Sequence, residues 1–163
     1  MLNLHSFEER LVRIHGQRFN AMGAAVLGRL SAIRRVFIVM GFNDEALNSA
    51  YEKVMKKVIV DFGYQPVRID QMRFAGGVSD QILAEIEQSE IVLAELSGER
   101  PNCYYEAGYA HALHKEIILT NYKASPIAFN LRNHPFIEWK SEPELEGKLR
   151  ERFKELVKDT QNS

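Results

Sequence analysis

At 163 residues the chain fits one domain and is long enough to bury a substantial core. Its 45% hydrophobic and 26% charged content is ordinary for a globular protein. The net charge of −1 excludes a nucleic-acid polymer as a partner held by bulk electrostatics. The single Cys103 excludes an internal disulfide or a cysteine-based zinc site and points to a reducing, cytoplasmic setting. No apolar run reaches the roughly 18 residues of a membrane span, and no basic-then-apolar secretory start is present.

Residues 1–34 read as a helical leader. Phe7, Leu11 and Ile14 recur at helical spacing, as do Met22, Val26, Leu30 and Ile33, while Gly16, Gly23 and Gly28 break the pattern. The leader is expected either to pack on a flank of the sheet or another subunit, or to be the joint of a regulatory module. From residue 35 to 160 the pattern alternates between strand and helix. Val36 to Met40 is continuously apolar, as a buried parallel strand requires. Gly41-Phe42-Asn43-Asp44 then breaks into a helix bearing Leu47, Tyr51, Val54, Val58 and Phe62, with Gly63 at its C-terminal stop.

Val67 to Ile69 is a second strand ending at Asp70. A Gly76-Gly77 loop follows, and Ser79 or Asp80 can cap a helix carrying Ile82, Leu83 and Ile86. Glu90 to Leu96 is the third strand, 102–114 the third helix and Glu116 to Thr120 the fourth strand. Residues 121–135 are irregular, Phe136 to Trp139 is a fifth strand, and a last helix starts near Ser141 to Pro143. Five strands alternating with helices predict a flavodoxin-like or Rossmann-like α/β three-layer sandwich with a parallel sheet of order 2-1-3-4-5. That order opens a crevice between the ends of strands one and three, where Gly41-Phe42 would face Ser97-Gly98.

The residues gathered at the strand ends are acids, amides, glycines and one aromatic. No GxGxxG, Walker or GxSxG pattern is present. The five histidines lack zinc spacing, so no metal or cofactor is implied. Carboxylate chemistry remains. Glu106 lies near a helix start among Cys103, Tyr104, Tyr105, Ala107 and Gly108, either as a reactive acid or as a surface acid paired with Arg100 or a lysine. Asn102 and the tyrosines Tyr104, Tyr105 and Tyr109 could donate to it, and Gly98 allows close approach of backbone to a sugar. Asp80 is a helix cap or a second acid, Asp70 a loop cap or a ribose ligand, and Phe42 a core residue or a base platform. Asn43 completes the loop after strand one.

The run AELSGERPNCYYEAGYAHALHKEIIL from Ala94 resembles the signature of nucleoside 2-deoxyribosyltransferase-like proteins: an acid, a short loop, then Asn-Val-x-x-Glu-Leu-Gly-x-Ala. Met40-Gly41-Phe42 and VSDQILAEIEQSEIVLAEL resemble that family's opening loop and the helix and strand before the signature, over roughly residues 35–140. The resemblance implies that Glu106 is a nucleophile forming a covalent deoxyribosyl intermediate, that Asn102 lies in the loop before it, and that Phe42 stacks near the base. The aspartate those transferases carry before strand three falls by spacing near Ile82, with Asp80 the nearest acid. The same motif is similar to TIR-like nucleotide-binding proteins, in which a glutamate cleaves NAD or a nucleotide. A nucleoside or nucleotide is thus the implied partner, turned over or only sensed. A homo-oligomer is also implied, with Met22, Val26, Leu27 and Leu30 of the leader as a contact surface.

Overall fold

The computed structural model describes residues 33–71, 78–128, 131 and 134–161. The fold below is that of the unit Arg34–Ser163. The expected leader, up to residue 32, and the Gly76-Gly77 loop lie outside the described residues.

The sheet is parallel throughout, with strands β1 (Arg35–Val39), β2 (Gln65–Arg68), β3 (Ile91–Glu95), β4 (Glu116–Tyr122) and β5 (Phe136–Trp139) in the order β2-β1-β3-β4-β5. Helix α1 runs Glu45–Ala50, passes through one π-helical turn at Tyr51–Met55 and continues as Lys56–Asp61. Helices α2 (Val78–Gln88), α3 (Pro101–Ala112) and α4 (Glu142–Gln161) complete the layers.

Because strand side chains alternate, the continuously apolar β1 and β3 must be covered on both faces. On one face Val36, Ile38, Ile91, Leu93, Ile118 and Trp139 pack with Leu47, Tyr51, Met55 and Val58 of α1 and with Leu145, Leu149 and Phe153 of α4. On the other, Phe37, Val39, Val92 and Ala94 pack with Ile86 of α2 and with Cys103, Ala107 and Ala110 of α3. The architecture and strand order are those expected from the sequence.

The differences lie at element ends. β2 begins at Gln65, two residues early, and the chain curls into a 3-10 turn at Ile69–Gln71 rather than extending to Ile69. β2 is an edge strand, so Pro66 is tolerated within it. β4 runs two residues further than expected, because Asn121 and Tyr122 pair with Glu138 and Trp139. The π turn in α1 has no sequence signature of the 3.6-residue kind used to place the helix. The helix stop is as read: Gly63 has φ +81, a conformation that glycine adopts without a Cβ penalty.

Phe153 of α4 is fully buried. It stacks on Phe62 at 5.4 Å and meets Tyr64 edge-on at 5.8 Å. Truncating it leaves a cavity bounded by α1, α4 and the sheet. Phe153→Ala should lower stability by about 3–5 kcal/mol in urea denaturation, and a loss below about 1 kcal/mol would show that this face carries little of the fold.

Candidate active site at the carboxyl edge of the sheet

Three loops meet at the carboxyl ends of the strands. After β1, Gly41-Phe42-Asn43 leads to Asp44, whose carboxylate accepts from the Leu47 backbone N–H at 3.1 Å and caps α1. After β3 the chain turns through Gly98 (φ +79) and Glu99 (φ 48). Pro101 then occupies the first turn of α3, where its missing N–H is harmless. A residue before proline is held out of the helical region. Arg100 is accordingly extended, with φ −76 and ψ 115.

The strand order sets the ends of β1 and β3 side by side, and the Arg100 side chain lies between their loops. A Cβ built on Gly41 would fall 2.1 Å from Arg100 Nε and 2.2 Å from its Cζ, while one on Gly98 would lie 3.9 Å from the same Nε. The guanidinium therefore sits against the Gly41 backbone and beside Gly98. Gly41 leaves the space that the guanidinium occupies.

A second arginine braces the same loop from below. Arg68, at the end of β2, is buried. It donates to both oxygens of Asp70 at 2.6 and 2.5 Å, and to Asn48 Oδ1 at 2.9 Å. Asn48 in turn donates from Nδ2 to the Phe42 carbonyl at 2.6 Å. The Arg68 guanidinium lies 4.5 Å from the Tyr51 ring centroid and 5.5 Å from that of Phe42. Phe42 itself is 41% exposed, so its ring is not a core residue.

Glu95, at the end of β3, is fully buried. Its carboxylate accepts from the Ser97 N–H at 3.1 Å, the Ser97 hydroxyl, Thr120 Oγ1 at 2.6 Å and Trp139 Nε1 at 2.9 Å. The Ser97 Oγ also accepts from the Tyr122 N–H at 2.6 Å. Glu95 falls within the third strand expected from the sequence, but its donors on β4 and β5 lie too far along the chain for any local pattern to reveal them.

Glu106 is half-buried and forms no ion pair among the described residues, with Arg100 or otherwise. Burial pushes its carboxyl up to about 7. It falls in the second turn of α3, not the first, beyond the reach of the helix N-terminus. That placement accords with desolvation as the cause of the shift. Beneath it, burial pushes the Cys103 thiol up to about 11, Glu106 adds to the rise, Arg100 opposes it and Glu95 adds further. The three groups thus all act on one side chain.

The remaining predicted residues are dispersed. Asp80 is exposed in the first turn of α2. Asn43 and Asn102 are exposed, and Tyr109 donates to Glu87 of α2 at 2.5 Å. Tyr104 accepts from the Ala128 N–H at 3.1 Å, whereas Tyr105 is 64% exposed. Two concavities open along this edge. One of about 560 Å³ includes Asp44, Ser49, Tyr122 and Trp139, and one of about 380 Å³ includes Asn121, Ser125 and His134. Glu106 lines neither. No cluster of three metal-ligating side chains exists among the described residues, and none of their helices is long and apolar enough to cross a membrane.

No protein-family model matches the chain, and no curated protein does. Solved structures do. A CMP N-glycosidase of Clostridium botulinum superposes with TM-score 0.57 at 21% identity, over 71% of this chain and 98% of that one. A TIR domain of a Toll-related receptor from Hydra magnipapillata gives 0.55 at 16%, over 77% and 97%. A 2-deoxyribosyltransferase of Bacillus psychrosaccharolyticus gives 0.51 at 14%, over 71% and 95%. The chain shares the fold common to these deoxyribosyltransferase-like and TIR-like proteins, at a distance that singles out no member.

The raised Glu106 pKa has a consequence for stability. The folded state holds a proton that the unfolded chain releases near 4.5. Stability therefore falls as pH rises from about 4.5 through about 7. Glu106→Gln removes that penalty. Its melting temperature should match the parent's near pH 4.5 and exceed it by about 2 °C or more at about pH 8, the shift that roughly 1 kcal/mol gives in a chain of this size. Parallel pH dependence of the two proteins would place Glu106 in water.

Proposed function

We propose that this protein cleaves or transfers at the N-glycosidic bond of a nucleoside or nucleotide, with Glu106 as the nucleophile. The observation that carries this reading is a half-buried carboxylate without an ion-pair partner among the described residues, raised to about 7 by desolvation, on the helix after the central strand. Open α/β sheets bind ligands at that edge. The fold likeness to a CMP N-glycosidase and a 2-deoxyribosyltransferase and the signature around Glu106 support the same chemistry.

In this reaction a Glu106 carboxylate oxygen attacks the anomeric carbon as the C–N bond breaks. The bonding pair leaves with the base, which takes up a proton, and a glycosyl ester of Glu106 remains. Water, or a second base, then attacks the same carbon and frees the carboxylate. Water gives hydrolysis and a second base gives transfer. Phe42 offers an exposed ring against which the base stacks, with its loop held by Arg68 through Asn48. Asn43, Gly41, Gly98 and Asn102 border the sugar from the facing loops. Asp70 and Tyr109 have a lesser part, because their polar atoms are engaged by Arg68 and Glu87. Asp80 is the proposed second acid.

Mass-spectrometric detection of free base from deoxynucleosides, nucleotides and NAD tests the reading. Base should be released, and Glu106→Gln should lower turnover by about 10³-fold or more. Unchanged turnover in that variant would eliminate Glu106 as nucleophile. Nicotinamide from NAD, with nothing from deoxynucleosides, would instead identify an NAD-cleaving effector of the TIR type. Binding without any release would identify a nucleotide sensor.

Only the ionised carboxylate attacks. In the free protein kcat/KM should therefore rise with pH and level off above about 7. A profile flat from about pH 5 to 9 would mean that Glu106 does not titrate in the reacting form.

A further inference from the structure

Arg100 lies between Gly41 and Gly98 with one of its donors, Nε, unmet. Among the described residues its buried Nε has no hydrogen-bond partner and its side chain forms no ion pair. Buried donors are almost always satisfied, and an orphan calls for a physical explanation, of which a bound ion or group is one. Arg68, the buried arginine of this edge, shows what satisfaction looks like, with Asp70 on two of its nitrogens and Asn48 on a third contact. Among the described residues no acid stands in that relation to Arg100, although Glu106 and Glu95 both act on the neighbouring Cys103.

The position of the guanidinium is built by the chain around it. Pro101 holds Arg100 extended, Gly41 has no side chain to displace it, and Gly98 leaves it open on the other flank. A planar guanidinium held in this way presents paired N–H groups suited to a tetrahedral oxyanion.

We propose that Arg100 is the anion-binding residue of the crevice and that the ligand carries a phosphate group. This rests on the nucleoside-or-nucleotide reading above and narrows it to phosphorylated ligands. The phosphate has two possible sources, the 5′-monophosphate of a nucleotide or the pyrophosphate bridge of a dinucleotide. The shared element is a phosphate oxygen pair accepting from the guanidinium. Free nucleosides lack it and leave Arg100 as it stands.

Isothermal titration of the full chain, in the Glu106→Gln background so that ligand is not consumed, tests this with AMP and CMP beside adenosine and cytidine. NAD and inorganic phosphate are separate arms. At least one monophosphate or NAD should bind about 10–100-fold more tightly than the matching nucleosides, the range expected of one charge-assisted contact. Arg100→Met should abolish that preference while leaving nucleoside affinity unchanged. Arg100→Lys should retain part of it as a point charge.

Gly41→Ala keeps the charge but puts a Cβ where the guanidinium lies, and it should also weaken phosphate preference. Tighter binding of AMP or CMP than of NAD identifies a monophosphate ligand, and the reverse identifies a pyrophosphate. Equal binding of nucleotide and nucleoside, a preference that survives in Arg100→Met, or binding of none of these ligands would each overturn the proposal. Base release by the unsubstituted protein separates the two readings. Equal release from nucleosides and nucleotides would remove the role of Arg100 and leave that of Glu106. Phosphate-dependent binding without release would do the opposite.

Discussion

The carboxyl edge of this sheet is organised around a buried acid that must be satisfied by neutral donors. Glu95 is fully out of solvent, where an uncompensated charge is costly. Its four hydrogen bonds come from the loop after β3, from Thr120 of β4 and from Trp139 of β5. The donors belong to three parts of the edge, so meeting the needs of one carboxylate sets three segments relative to one another. The Ser97 hydroxyl extends the arrangement by accepting from the Tyr122 N–H. Loss of a single donor would leave a buried oxygen short of a partner, worth about 1–3 kcal/mol.

With β3 fixed at its end, the next few residues have little freedom. Gly98 and Glu99 turn the chain and Pro101 starts α3. Arg100, between them, is thrown back toward Gly41. On the far side of Gly41 the Arg68–Asp70–Asn48 contacts hold the loop through the Phe42 carbonyl. The β1 loop is thus held between two arginines of different status. One is saturated and structural. The other has a buried Nε without a partner among the described residues.

Glu106 stands in tension with this order. Its carboxyl is placed where burial disfavours the charge, without an ion pair among the described residues to relieve it. Stability alone would favour glutamine there, or a nearby lysine. A site that holds an acid against that preference is the kind in which carboxylate chemistry operates.

The strand–helix alternation, the strand order and the faces of the core were legible in the sequence. Continuous apolar runs such as Val36–Met40, helical spacings such as Leu145, Leu149 and Phe153, and turn residues such as Gly63 and Pro101 are local signals. Glu106 was legible too, as an acid set among tyrosines and small residues. The π turn at Tyr51–Met55, the donors of Glu95, the saturation of Asp70 by Arg68 and the seat of Arg100 against Gly41 were not. These depend on which side chains meet across segments separated by tens of residues, and on which atoms lose water when they do. Residue order determined the elements and their periodicity. Only the packed sheet decided which charges are paired, because pairing and desolvation are properties of the assembled edge.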